Sequence, residues 1–269
     1  KDKKFLIINT NILVFIFKTM IDEEIKEVLK KNGYNIDEDS ETRIKTMIQS
    51  IQDNNEFHNL EYVLQWFEKK RRESPMILEE IGINELEKWQ VSQNTGNISH
   101  ESGGFFEIIG LRISNSLDRE VGNKGWTQPI ISKNEIGILG LIMKKFSNIP
   151  HFLLQAKAEP GNIEKLQLSP TLQATKSNLE QKHGGKKPLF ADYFENTEKS
   201  KIIYSKHQTE DGGRFYLKSN LNMIVEVSEN EKIEIPDSFI WVTMYQIKQM
   251  ILHHENLINP HVRSIISGF

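Results

Sequence analysis

Between Phe152 and Thr175 the chain reads FLLQAKAEPGNIEKLQLSPTLQAT, which sets Lys and Glu among Gln, Ser and Thr. Side chains alternate faces along a strand, so Gln155, Lys157 and Glu159 project together while Leu154, Ala156 and Ala158 face the other way. Pro160-Gly161 fits the two central positions of a type II turn. Beyond it Gln167, Ser169, Thr171, Gln173 and Thr175 share one face, opposed by Leu168, Pro170, Leu172 and Ala174. A solvated sheet face has this pattern. So does the hydrogen-bonding wall of a polar ligand pocket, with Lys157 and Glu159 as its charged members and Gln155, Thr171 and Gln173 as its amides and hydroxyls.

A second stretch, QTEDGGRFYLKSN from Gln208 to Asn220, has Asp-Gly-Gly between two apolar runs, a hairpin signal because such turns need φ > 0. On one face of the strand that follows, Arg214 and Tyr216 stand together. A guanidinium there can grip a diphosphate with paired hydrogen bonds or close a cross-strand ion pair. ESGGFF from Glu101 echoes EDGGRFY and carries His100 just upstream.

Other chemistries lose their best evidence. No Cys is present, which excludes disulfides, thiolate metal sites and Cys nucleophiles and suits the cytoplasm. His253, His254 and His261 have no carboxylate at ligand spacing, so no zinc site is expected there. The segment QKHGGKKP around His183 reads as a basic, Gly-rich loop. GxGxxG after a strand, the P-loop and GxSxG are all missing. A net charge of -3, with Lys and Arg spread among acids, lacks the footprint of a nucleic-acid binder. The apolar run from Phe5 to Phe17 is interrupted by Asn9, Thr10 and Asn11. It is too short to span a bilayer and has no small-x-small cleavage site after it, so a buried strand or helix is expected and no membrane partner.

The elements that must position these residues follow from periodicity. Ile21, Ile25, Val28 and Leu29 mark one helix that stops at Gly33; Ile44, Met47, Ile48 and Ile51 mark a second, with Asp39 or Ser40 as its cap. A third carries Leu60, Val63, Leu64 and Phe67 and ends in KKRRESP. Asn84 and Glu87 form a capping box for a short helix holding Leu86 and Trp89. From Ile98 the period becomes that of strands, and the tail returns to helix after a capping box at Thr243 and Gln246 and an Asn259-Pro260 start. Helices, a β-rich middle, then helices predict an α+β fold.

Several blocks together resemble one family, the NDP-hexose 2,3-dehydratases of deoxysugar biosynthesis: LQWFEKKRRESPMILEEIGINELEKW, ISHESGGFFEIIGLRI, REVGNKGWTQPII, LLQAKAEPGNIEKLQLSPTLQAT, QTEDGGRFY, WVTMYQIKQMI and NPHVRSIISGF. The resemblance covers the chain from about Leu60 to Phe269. It implies a Nudix-like β-rich core flanked by N- and C-terminal helices: a helical extension over 1–58, then a module over 59–269 with helices in 59–97, the β-rich core in 98–236 and C-terminal helices in 237–269. It also implies a dTDP-linked 4-keto-6-deoxyhexose as substrate and no metal or redox cofactor. The REUxEE core of a Nudix hydrolase box is absent, which disfavours a magnesium pyrophosphatase. Family members commonly carry two modules in tandem; a homodimer of this single module reproduces that arrangement, and the alternatives are another nucleotide sugar or a non-catalytic nucleotide-sugar-binding module. The implied elimination needs a base, an acid and a positive charge near the developing enolate. Lys157 and Glu159 are candidates for the last two, and Tyr216 and His100 for further proton transfer. For binding, Trp126 and Gln128 in GWTQP offer a base-stacking face and an amide, although Trp126 equally suits a core. Arg214 and Arg263 are the diphosphate candidates, with Arg112 in reserve.

Overall fold

The computed structural model describes residues 24, 26–33, 38–53, 57–114, 124–133, 135–181, 186–196 and 198–268. The expectations for the first twenty residues, for Ile21 and Ile25, and for the loop around His183 lie outside that set.

The centre is a hairpin of two ten-residue strands, β5 (Gly137–Phe146) and β6 (Ile149–Ala158), so numbered because four earlier strands precede them. Its turn is made by Ser147 and Asn148, both at positive φ, which is the backbone that a two-residue hairpin loop demands. Near the turn the strands pair from Phe146 opposite Ile149 to Met143 opposite Phe152. Farther on they part. Into the gap come β7 (Leu166–Ser169), paired with β6, and β8 (Leu172–Thr175), paired with β5. Thr171, at the apex, bridges the split: its hydroxyl accepts from the Ile142 N–H at 3.0 Å and donates to the Leu153 carbonyl at 2.5 Å. The sheet is therefore a fork with two arms.

Each arm is widened by further strands. β11 (Phe239–Thr243) runs antiparallel to β6, while β10 (Ser219–Val227) runs parallel to β5 and carries β9 (Lys201–Thr209) at the edge. On one face Leu139, Leu141, Phe152, Leu154 and Ile224 pack against Val63 and Phe67 of α2 (Leu60–Glu73), Ile247 and Met250 of α5 (Met244–His253), and Val262 and Ile265 of α6 (Pro260–Ser267). The opposite face gathers Ile142, Leu153, Met223, Val225 and Trp241 around Phe194 of α4 (Ala191–Glu195). Gly140 is required there, since a Cβ would overlap the Phe194 ring. Two further helices are α1 (Glu38–Gln49), twelve residues long, and the single turn α3 (Lys176–Leu179).

A separate four-stranded antiparallel meander comprises β1 (Trp89–Val91), β2 (Ile98–His100), β3 (Glu107–Ile113) and β4 (Trp126–Ser132). It is tied to the fork by the β9–β10 loop, where the Ile131 N–H bonds the Arg214 carbonyl at 2.9 Å and the Tyr216 N–H bonds the Ile131 carbonyl at 2.8 Å.

The α+β class, a β-rich middle between helices, is as the sequence predicts. The Thr243–Gln246 capping box and the Asn259 cap before Pro260 also form. Several local expectations change. Asp39 and Ser40 lie inside α1 rather than at its cap. The Glu85 carboxylate accepts from the Gly82 N–H at 2.8 Å, giving a single 3₁₀ turn in place of an Asn84-capped helix, and Trp89 falls on a strand within the region expected to be helical. β11 likewise precedes the tail helices within 237–269. Gly161, Gly212 and Gly213 are not among the positive-φ glycines, so the turn closed by the Asn162 N–H on the Glu159 carbonyl is not type II. The Asp211 carboxylate and carbonyl, accepting from the Gly213, Arg214 and Phe215 N–H groups, shape the β9–β10 loop instead.

The bridging hydroxyl yields a direct test. Thr171→Val preserves shape but strands a buried N–H and a buried carbonyl, each costing about 1–3 kcal/mol. Chemical denaturation should show a loss of roughly 2–4 kcal/mol relative to the parent chain.

Candidate active site

The open end of the fork is polar. On the β6–β7 arm, Gln155 stands opposite Ser169 and Lys157 opposite Gln167, so these four share a face. Just past β6, Glu159 Oε1 lies 3.0 Å from Lys157 Nζ and accepts from Gln173 Nε2 at 3.1 Å. Gln173 belongs to the other arm, on β8, and is aligned through Leu139 with Asn222 of β10. The carboxylate thus ties the two arms together across the mouth. Lys157 and Glu159 are each slightly more than a quarter exposed, at 29% and 27%, open to a ligand but shielded enough for the charge pair to matter.

The fork is filled from behind by the chain leading into α6. Leu168 of β7 exchanges backbone bonds with Leu257 and Asn259, and Gln167 spans Asn256 and Asn259 with its side-chain amide. Asn259 then caps α6, and two residues later His261 arrives at the mouth. Its Nδ1 is 3.7 Å from Glu210 Oε1. Glu210 is held in turn by the Asn220 amide at 2.5 Å, and the Asn220 carbonyl oxygen accepts from the Gly137 N–H at 3.1 Å. A Cβ at Gly137 would crowd that oxygen and the Ala174 carbonyl, so glycine is what lets Asn220 lie across the strand.

Burial pushes the His261 imidazole below its ordinary value; the Glu210 and Glu159 carboxylates oppose that shift, and Lys157 and Lys218 reinforce it. Desolvation also lowers Lys218, against the pull of Glu210 and Glu135. Lys218 donates to the Glu135 carbonyl. Three buried polar atoms on these same strands, Ser169 Oγ, Gln173 Oε1 and Asn222 Oδ1, have no hydrogen-bond partner among the described residues. Leaving such an atom unpaired costs about 1–3 kcal/mol, a cost that hydroxyls of a ligand can offset.

The sequence matches the family model for NDP-hexose 2,3-dehydratase over residues 60–269. The chain belongs to this family. Similar curated proteins are the dTDP-4-dehydro-6-deoxy-alpha-D-glucopyranose 2,3-dehydratases of Amycolatopsis orientalis, 39% identical over 210 residues, and of Saccharopolyspora spinosa, 37% identical over 202. These matches cover 77% and 75% of this chain but only 44% and 40% of the relatives, so the chain spans less than half of their length. Among solved structures, an Ap4A hydrolase from C. elegans is similar at 13% identity, covering 50% of this chain and 97% of its own, with a TM-score of 0.31.

Within this 2,3-dehydratase-family chain the residues singled out from sequence fall into two groups. Lys157, Glu159 and Gln173 come together at the mouth, and Gln155 shares the face of Lys157. Thr171 does not join them as a ligand-facing hydroxyl: it is buried, with its hydroxyl committed to the fork apex. Nor do Gln167 to Thr175 form one continuous face, because Pro170-Thr171 divides them between strands that pair with different partners.

The remaining candidates sit on the meander, on the loop that joins it to the fork, or on α6. Trp126 Nε1 donates to Gln128 Oε1 at 2.7 Å, and Gln128 Nε2 donates to the Gly213 carbonyl at 2.8 Å, so the Gln128 amide fastens the loop. Arg214 is 79% exposed beside Asp211, and Tyr216 is also exposed; both lie in the loop rather than on a strand. His100 accepts from or donates to Ser102 Oγ at 2.8 Å and packs against Trp89 and Phe105. Arg112 is exposed on β3, and exposed Arg263 lines a separate depression with Gln167 and His254. None of these seven has a hydrogen bond or ion pair with Lys157 or Glu159 among the described residues.

Sequence reasoning missed His261, Glu210 and Asn220 as a group, because 51 residues separate the first two (261 minus 210) and no spacing rule joins them. One signal existed: Asn220 and Asn222 alternate with apolar residues on β10, marking a polar face on a strand that is otherwise core.

The Gln128 contact is testable. In Gln128→Ala the loop loses one of its anchors, and the Tyr216 amide should exchange hydrogen about fivefold faster, the equivalent of a ~1 kcal/mol bond. Unchanged exchange would show that the backbone bonds to Ile131 suffice.

Proposed function

We propose that this chain acts on a dTDP-linked 4-keto-6-deoxyhexose, eliminating water across C2–C3 to give a 3,4-diketo-2,6-dideoxy sugar. The observation that supports the reading most is the Lys157–Glu159–Gln173 cluster, a charge pair that joins the two arms of the fork at a half-buried polar mouth. A ketone at C4 acidifies the C3 proton. Its removal gives an enolate, which expels the C2 hydroxyl as water; the resulting enol tautomerises. The electron sink is the substrate's own carbonyl, so the reaction asks for no metal or redox group.

Lys157 supplies the positive charge for the enolate oxygen, where an ion in a partly water-excluded site acts more strongly than in solvent. Glu159, 3.0 Å from Nζ, aims the ammonium. The unpaired oxygens of Ser169, Gln173 and Asn222 are suited to sugar hydroxyls. Cytoplasmic location and a homodimer belong to the same reading. Sedimentation at micromolar concentration tests the homodimer, which would place two such modules side by side.

With dTDP-4-keto-6-deoxyglucose as substrate, Lys157→Ala and Glu159→Gln should each lower kcat by about 10²–10⁴-fold while dTDP affinity changes by only a few-fold. The measurements are deuterium exchange at C3 and chemical trapping of the diketone. Wild-type turnover in both variants would remove the pair from the mechanism. Binding of dTDP with no C3 exchange by the parent chain would leave a nucleotide-sugar-binding module.

A further inference from the structure

Elimination needs a base as well as a positive charge, and the Lys157–Glu159 pair does not supply one. Glu159 is occupied twice on the same oxygen, by Lys157 and by Gln173. His100 is engaged with Ser102 and two aromatic rings on the meander, and Tyr216 lies in the exposed loop.

We propose that His261 is the base that takes the C3 proton, with Glu210 as its positioning residue; this rests on the dehydratase reading above. The geometry has three parts. His261 opens α6, whose start is fixed by the Asn259 cap and by the bonds of Leu257 and Asn259 to β7, so its backbone is not adjustable. Its Nδ1 faces Glu210, which favours the tautomer with the proton on Nδ1 and leaves the Nε2 lone pair for substrate. Glu210 is itself clamped by Asn220 and, through it, by the Gly137 backbone. Imidazole, carboxylate and amide therefore form a relay across α6, the β9–β10 loop and β10, ending on β5.

The charges facing the imidazole are Glu210, Glu159, Lys157 and Lys218. Because burial dominates, the imidazole is neutral at neutral pH and ready to accept a proton. Both carboxylates steady the imidazolium once it forms. In the step itself the C3–H bond breaks, its proton moves to Nε2 and its electron pair becomes the C3–C4 enolate. That pair then forms the C2–C3 double bond as the C2–O bond breaks, and the imidazolium returns its proton to the departing hydroxyl. Water leaves and His261 is again neutral.

The test uses the full chain and dTDP-4-keto-6-deoxyglucose in D₂O, following C3 exchange by NMR and kcat against pH, with dTDP binding as the check on folding. His261→Gln should lower C3 exchange by about 100-fold or more, in the range of a lost general base, with KM within a few-fold. Glu210→Gln should stay active, but the acidic limb of its kcat profile should move to lower pH, because removing the carboxylate lowers the imidazole further. A merely structural role would not move that limb. Near-wild-type exchange by His261→Gln, alongside loss in Lys157→Ala, overturns the proposal and leaves the dehydratase reading standing. No exchange by the parent chain overturns both. If His261→Gln fails to bind dTDP, the Glu210→Gln profile decides, and an unmoved limb overturns the proposal.

Discussion

The hydroxyl of Thr171 sits where two long strands stop pairing. Every residue at the polar mouth depends on that separation. A continuous β5–β6 ladder would bond the Ile142 N–H directly to the Leu153 carbonyl and would leave no room for β7, β8 or the segment leading to α6. Threonine fits because one atom can accept and donate at once, closing both orphaned backbone groups in a place where water does not reach. Pro170 beside it donates no N–H and helps to end β7. The divergence is thus encoded in two adjacent residues, and the arms carry polar side chains only because they no longer face each other across a ladder.

Charge is distributed over the mouth in a consistent way. Lys157 meets Glu159, and His261 meets Glu210. Each carboxylate is also held by a neutral amide, from Gln173 or Asn220, so that neither has to move to find a partner. Fixed dipoles and ions of this kind need little reorganisation when charge develops on a bound molecule. The apolar packing on both faces of the sheet, from Phe152 and Leu154 on one side to Leu153 and Trp241 on the other, gives these groups a rigid base.

Much of this was legible in the sequence, for reasons that differ by residue. The stripe of Gln155, Lys157 and Glu159 followed from strand alternation, which is local and strict. Helix starts at Thr243 and Asn259 followed from capping chemistry, also local. Thr171 was misread because alternation alone placed it on a polar face; only the pairing of β7 and β8 with different partners reveals the break. The glycine-rich stretch at Asp211 was read as needing φ > 0, yet the Asp211 carboxylate organises the turn and Leu217 takes the left-handed backbone. His261 and Glu210 stayed invisible together because their meeting depends on tertiary placement of α6.

That placement has a kinetic side. The fork's filling comes from a segment 89 positions beyond the strand it completes, as the Gln167–Asn256 bond shows. Such long-range closure carries a loop entropy that nearer contacts do not, and forms late when a chain folds. On a ribosome the two arms can pair and pack while the space between them is still open. Its buried polar edges remain unsatisfied until Leu257 to Asn259 emerge. The mouth is therefore finished only after both arms, and an arrested chain lacking α6 would expose the inner edge of β7, an invitation to pair with another strand.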